Sequence, residues 1–263
     1  MQSQPKFGLR ILCCRYVRDA AWNWEHLAAP YWRLYWNGRQ TGVIRHEGRD
    51  TAMAPHSAYL IAPDTDYSSR SDGPIEQLYI HFIADRPFEA PAPGVLPLAH
   101  GPDMAVLARD LMAEPSDGAT LSSRHLAARQ ALCMWALAQV PESWLSGGCA
   151  DPVIARVEEH MLANLHRPVT NLEFASGAGL GLRTFLRRFR EAVGESCQDR
   201  FRRKRIQHAC LLLQFTDHTL ERIAADCGFC DRHHFSRAFK RLRGTSPAAF
   251  RRITVHLNRA SER

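Results

Sequence analysis

Residues 228–241 read GFCDRHHFSRAFKR, and residues 179–191 read GLGLRTFLRRFRE. The later stretch is the earlier one rewritten about fifty residues downstream. Ala175, Gly179 and Leu180 return 49 residues later as Ala224, Gly228 and Phe229, and Phe185, Arg187 and Phe189 return 50 residues later as Phe235, Arg237 and Phe239. Gly194 and Ser196 return as Gly244 and Ser246, so one extra residue enters the second copy just after its turn. Matches held in register over segments this short mark an internal duplication.

Each copy reads as a short helix, a turn at glycine and a longer helix. The first is predicted over 171–177 and 182–193 around Gly179, the second over 219–226 and 231–243 around Gly228. A helix-turn-helix needs such residues: a small Ala where the helices cross closely, and Gly where the backbone turns. Phe185 and Phe189, like Phe235 and Phe239, stand four apart and form one buried stripe. The cations between them must then point away from it. Arg183, Arg187, Arg188 and Arg190 in the first copy, and Arg232, His233, Ser236, Arg237 and Lys240 in the second, make faces suited to guanine edges in a major groove. One basic amphipathic helix alone is more often a solvated face. Two in one register shift the reading to DNA.

Charge points the same way. Residues 151–263 hold 21 Lys and Arg against 12 Asp and Glu, a balance of +9, whereas residues 1–150 hold 13 against 15, a balance of −2. The excess therefore sits in the second half, which implies a polyanion partner for that half, duplex DNA or an anionic surface. A helix predicted over 198–214 joins the two copies; at about 1.5 Å per residue it spans roughly 25 Å. With its flanking turns it could set the two long helices about one DNA turn apart, roughly 34 Å. The run RFRRKR at its start places Arg200, Arg202, Arg203, Lys204 and Arg205, together with Lys240, for phosphates.

The rest of the chain is of ordinary globular composition, 45% hydrophobic and 23% charged. No run approaches the roughly 18 apolar residues of a membrane helix, and the start, MQSQPKFGLRILCCRYVRD, lacks a basic leader and a cleavage site. The expectation is a cytoplasmic protein without a membrane partner, its eight irregularly spaced cysteines kept as thiols. The first hundred residues carry short β-like runs, whose spacing suggests an antiparallel barrel or sandwich. YWRLYWNGRQTGVIRH suggests a hairpin turning at Asn37-Gly38, SAYLIAPDTDYSS a strand and a Pro63-Asp64 turn, and IEQLYIHFI a further strand. Residues 103–140 turn helical, with Leu126, Cys133 and Leu137 on one side of the second helix. Pro, Ser and Gly then mark a linker at 141–151. Beyond it every segment reads as helix, from VIARVEEHMLANLH to a last helix opening at Pro247.

Over about 152–252, and most closely in TLERIAADCGFCDRHHFSRAFKRLRGTSPAAFR, the chain resembles the AraC/XylS family of transcriptional regulators. The resemblance implies an α+β protein. In the first part YLIAPDTDY followed by LYIHF is similar to the strand–Pro–strand core of the family's cupin-like effector domain, which implies an N-terminal cupin-like antiparallel β-barrel over about 1–100, followed by two dimerising helices at 103–140. After the 141–151 linker would come an all-α double helix-turn-helix domain at 152–263. The family's base-reading positions fall on Arg183, Leu186 and Arg187 in the first copy and on Arg232, His233 and Arg237 in the second. Leu186 stands where a polar reader is often found, Asn171 follows Thr170 where an apolar residue is usual, and Cys197 stands where Pro is common. The implied function is sequence-specific DNA binding in response to a small-molecule effector, by a homodimer, with RNA polymerase as a further partner.

Several constellations compete with that reading. CGFCDRHH, Cys227 to His234, offers zinc-like donors, but adjacent histidines on a helix point about 100° apart. His46, Glu47, His56 and His81 would suit a cupin metal centre, yet the His-x-His pairing is missing; the expectation is no metal, no cofactor and no catalytic group. Trp22, Trp24, Trp32 and Trp36 could stack on a sugar or an aromatic effector, with Arg33 or Arg45 pairing a carboxylate, or could simply fill the core. The effector set is therefore Trp32, Arg33, Trp36, Arg45 and His81. The rivals are a cupin-type metalloenzyme fused to a DNA-binding domain and an architectural DNA binder that needs no effector.

Overall fold

The computed structural model describes residues 7–20, 22–38, 42–113, 122–145 and 151–252. The chain divides into two compact units between Ser146 and Gly147.

The N-terminal unit is a pair of antiparallel sheets. Strands β1 (Leu9–Ala20), β8 (Ile75–Ala84), β3 (Trp32–Asn37), β6 (Ala58–Ile61) and β9 (Val95–Leu98) form one sheet in that order. Strands β2 (Trp24–Leu27), β7 (Tyr67–Arg70), β4 (Gly42–His46) and β5 (Arg49–Met53) form the other. The strands are antiparallel as expected, but the barrel that the resemblance implied is not closed: of the two arrangements suggested by the spacing, the two separate sheets match the sandwich.

The expected hairpin at Asn37-Gly38 is also overturned. β3 is the central strand of its sheet, bonded to β8 on one edge and β6 on the other, so no edge is left for β4. At Gly38 the chain crosses to the second sheet, its N–H donating to the Glu76 carbonyl and its own carbonyl accepting from His56. The hairpin is instead β4–β5, turning through Glu47 and Gly48 at φ 49° and 75°, the left-handed pair a two-residue turn of this hand requires.

All six residues of β3 are buried, because both of its faces are covered. Trp32, Leu34 and Trp36 join Leu78, Ile80 and Phe82 of β8 in a core with helices α1 (Pro102–Met112) and α2 (Ser123–Leu137). The alternate residues face the second sheet, where the Tyr35 hydroxyl meets that of Tyr67 at 2.8 Å. On α2 the buried face is Ala128, Leu132, Cys133, Ala136 and Leu137. Leu126, expected on that face, is instead 50% exposed. The expected linker begins late: Glu142–Trp144 forms a 3₁₀ turn, Leu145 bridges Pro91, and the Trp144 ring lies over Gly94 where any side chain would collide. Residues 146–150 of that linker lie outside the described residues.

The C-terminal unit is all helix among its described residues: α3 (Pro152–Ala163), α4 (Asn171–Gly177), α5 (Leu182–Val193), α6 (Cys197–Phe215), α7 (Leu220–Asp226) and α8 (Arg232–Arg243), with helical residues again at 247–252. The duplication is visible bond by bond. Thr170 and Thr219 cap α4 and α7 by accepting from Glu173 and Arg222 N–H groups. Gly179 and Gly228 take φ 67° and 68°, and Leu180 and Phe229 donate back to the carbonyls of Ala175 and Ala224. Gly194 and Gly244 end the long helices in the left-handed region. Ser196 then caps α6 and Ser246 caps the helical turn at 247–252, accepting from the Asp199 and Ala249 N–H groups.

Each copy has its own core, and α6 runs through both. Its first turns give Cys197 and Phe201 to the cluster of Phe174, Ala175, Phe185 and Phe189. Its later turns give Ile206, Ala209, Cys210 and Leu213 to the cluster of Ile223, Ala224, Phe235 and Phe239. Burying a Phe or Leu fully is worth about 1.5–3 kcal/mol each. The two copies are therefore fixed to one 19-residue rod of about 28 Å.

Candidate functional site

The long helices α5 and α8 bury Phe185 with Phe189 and Phe235 with Phe239, and that single stripe dictates what the opposite side shows. Arg183, Leu186, Arg187 and Arg190 are exposed on α5, and Arg232, His233, Arg237, Lys240 and Arg241 on α8. Arg183, Arg187, Arg237 and Lys240 have no acidic partner among the described residues, so their charge is available to an anion. Arg232 is bound to Glu221 of α7 at 2.8 Å across an exposed pair, which a stronger acceptor could replace. Arg188, expected among the outward cations, instead turns back. It clasps Asp151, the cap of α3, with one nitrogen at 2.8 Å, and its hydrogen bond holds that carboxyl below its ordinary range.

The run expected to bind phosphates is divided by the helix period. Lys204 is 3% exposed and lies beside the buried Glu158 of α3. Arg200 donates to Glu158 at 2.8 Å and lies within 3.6 Å of Glu195. Arg205 lies over the Phe201 ring and donates to the Arg167 carbonyl. These three hold α6 against α3 and the α3–α4 loop and are withdrawn as phosphate ligands, because a side chain spent on a buried partner is not available to DNA. Arg203, paired with Glu195 at 2.9 Å and exposed, and Arg202, paired with Asp199 at 2.6 Å, remain within reach of solvent.

In the N-terminal unit the effector set separates along β3, where alternate residues face opposite ways. Trp32 stacks parallel to Phe82 and donates to the Phe88 carbonyl, and Trp36 packs on His100 and Trp135; both belong to the helix-side core. Arg45 is exposed and holds Asp50 with two hydrogen bonds, at 2.6 and 2.8 Å. Only Arg33 and His81 come together: they are cross-strand partners, facing the second sheet among Tyr31, Tyr35, Tyr67 and Tyr79. Burial, then the Arg33 charge, pushes the His81 imidazole well below its ordinary pKa, so it is neutral. The four tyrosines were not anticipated, although YWRLYW already places two of them on the same alternation as Arg33.

Among the described residues no group of three or more His, Cys, Asp or Glu side chains is placed to hold a metal ion. The zinc-like CGFC splits at the turn. Cys227 is buried, which pushes its thiol up to about 12, while Cys230 is exposed with the His234 Nδ1 at 3.3 Å. None of the described helices is long and apolar enough to cross a membrane.

A family model described as a helix-turn-helix domain matches residues 174–253. The HTH-type transcriptional regulator GlxA of Rhizobium meliloti (strain 1021) is 37% identical over 105 residues, which are 40% of this chain and 32% of GlxA. The HTH-type transcriptional activator RhaS of Salmonella arizonae is 31% identical over 147 residues, 54% of this chain and 51% of RhaS. The chain thus spans about a third to a half of these relatives' lengths. Among solved structures, ToxT from Vibrio cholerae aligns with 93% of this chain and 98% of its own at a TM-score of 0.56 and 12% identity, a likeness of fold. ToxT with an unsaturated fatty acid bound aligns at 0.54 and 10% identity, over 95% and 96%. The duplicated turn, the exposed cationic helices and these matches together identify the C-terminal unit as a helix-turn-helix domain similar to those of the AraC/XylS transcriptional regulators.

Proposed function

We propose that the chain is a transcriptional regulator that binds duplex DNA through α5 and α8 in successive major grooves and responds to a small molecule in its N-terminal unit. It acts by binding, not by catalysis. One observation carries the reading. Two helices of one chain, pinned to the same rod, present Arg183 and Arg187 on one and Arg237 and Lys240 on the other, without acidic partners among the described residues. A cationic side chain with no internal partner is set to neutralise phosphate or to bridge guanine O6 and N7. The ligand-responsive half draws support from ToxT, a protein of the same fold whose structure holds a fatty acid. Self-association through α1 and α2 draws support from Val106, Leu126 and Met134, large apolar side chains that face solvent.

The test is footprinting of the full chain on a site selected from random duplexes. Two protected major-groove segments about 10 base pairs apart per monomer are expected. Protection of a single groove would overturn the reading. Arg203→Ala should weaken binding on every sequence alike and flatten the salt slope by about 1.

A further inference from the structure

Arg33 lies in the middle of the N-terminal unit, 4% exposed, on the central strand of its sheet. Its guanidinium is within 5.4 Å of the Tyr31 ring centre and 5.1 Å of that of Tyr67. No carboxylate approaches it among the described residues, and one of its terminal nitrogens has no hydrogen-bond partner. Directly across the strand pair, His81 is 5% exposed, and neither of its ring nitrogens has a partner. Tyrosine faces attract a cation, but neutral rings do not replace the hydration a buried guanidinium loses. Polar groups left open this deep are costly and are otherwise almost always satisfied.

We propose that the N-terminal unit binds a small organic monocarboxylate between its sheets, held by the Arg33 guanidinium and the His81 N–H. This rests on the reading above that the N-terminal unit is the ligand-responsive half, and it names the ligand's chemistry. A guanidinium is a planar fork that matches a carboxylate with two parallel hydrogen bonds. The charge is matched as well: with His81 neutral, Arg33 supplies one positive charge, which a monoanion cancels and a phosphate dianion would exceed. Tyr31, Tyr35, Tyr67 and Tyr79 provide flat faces for an apolar or aromatic body. Arg45, the other arginine read as a carboxylate partner, is already taken by Asp50.

Thermal unfolding of the full chain would be measured with benzoate, phenylacetate and hexanoate, each against its neutral amide, at constant ionic strength. At least one carboxylate should raise the midpoint in a saturable way while its amide does not. Arg33→Met should lower that carboxylate's affinity about tenfold or more. Arg33→Lys, which keeps the charge and loses the fork, should bind at intermediate strength, and it decides the matter if the Met variant does not fold. Equal shifts with amide and acid, the same shift from chloride alone, or no shift with any of the three would overturn the proposal. A carboxylate that binds but leaves the DNA footprint unchanged would sink the regulatory reading and leave this site standing. A footprint that answers only a neutral ligand would do the reverse.

Discussion

At Gly179 the backbone turns left-handed at φ 67°, and nothing beyond its own chain neighbours lies within 4 Å of where a Cβ would stand. At Gly228 it turns at φ 68°, but a Cβ there would lie 2.7 Å from the Leu165 carbonyl, 2.7 Å from the Arg205 guanidinium and 3.0 Å from the Arg167 amide. The two copies share a backbone and differ in what braces it. The second copy's turn is wedged against the α3–α4 loop of the first, with Arg205 between them donating to the Arg167 carbonyl. The first copy is tied to α6 by ions instead, Glu158 of α3 meeting Arg200 and Lys204. Duplication copied the helix-turn-helix; the surroundings gave each copy a separate anchor. What looks like a basic DNA-facing run on α6 is largely the hardware of both anchors.

Removing the ionic anchor should have the largest effect. Glu158→Ala leaves Lys204 and Arg200 without their buried carboxylate, and losing one side of such a group costs about 3–5 kcal/mol. Urea unfolding should show it as a lower midpoint at unchanged slope. A loss below about 1 kcal/mol would mean that these ions are solvated and free for phosphate, which would restore Arg200 and Lys204 to the DNA face.

The glycine comparison comes next. Gly179→Ala meets only the left-handed backbone penalty, about 1–2 kcal/mol. Gly228→Ala carries the same penalty plus the collision with backbone on the α3–α4 loop, a further 1–3 kcal/mol or so. Equal losses at the two sites would show that the second turn is not wedged, and the separate-anchor account would fall.

On DNA the copies can be compared directly at Arg187 and Arg237, equivalent positions that are both exposed and without acidic partners among the described residues. Replacing either by Ala should cost about 1–3 kcal/mol on the selected site and relax base preference in its own half alone. A uniform loss on all sequences would assign that arginine to phosphate.

The C-terminal unit was legible in the sequence for a physical reason. Its signals are local, the Phe i, i+4 stripes and the glycine turns, and they occur twice, so each copy checks the other. Helix periodicity also bears on the basic run. Lys204 follows Arg200 by four and Phe201 by three, and so shares the face that α6 buries. The N-terminal unit was read less well because its decisive facts are not local. Asn37-Gly38 has strong hairpin chemistry, yet β3 pairs with β6 and β8, strands 20 to 50 residues away in sequence, and leaves β4 to the other sheet. The Arg33–His81 meeting depends on that register, 48 positions apart, and no property of either residue announces it.

The smallest difference lies at the start of the long helices, where the extra residue of the second copy enters. Asp231 caps α8 by accepting from the His234 N–H at 2.7 Å, whereas Gly181 begins α5 with no side-chain cap. Gly181 has φ −63° and ψ 144°, an extended conformation open to any residue, so a cap can be added without strain. Gly181→Ser should therefore stabilise the first copy by a few tenths of a kcal/mol. Asp231→Ala should lower the unfolding midpoint, because the α8 N-terminus loses its acceptor. If the uncapped start is merely a residue of duplication, Gly181→Ser will leave DNA affinity unchanged. If instead the bare N–H groups of α5 are kept for a phosphate, which helix N-termini bind readily, the same change will raise stability and weaken DNA binding together. The sign of that second effect shows whether the missing cap is an accident of the copy or part of its interface.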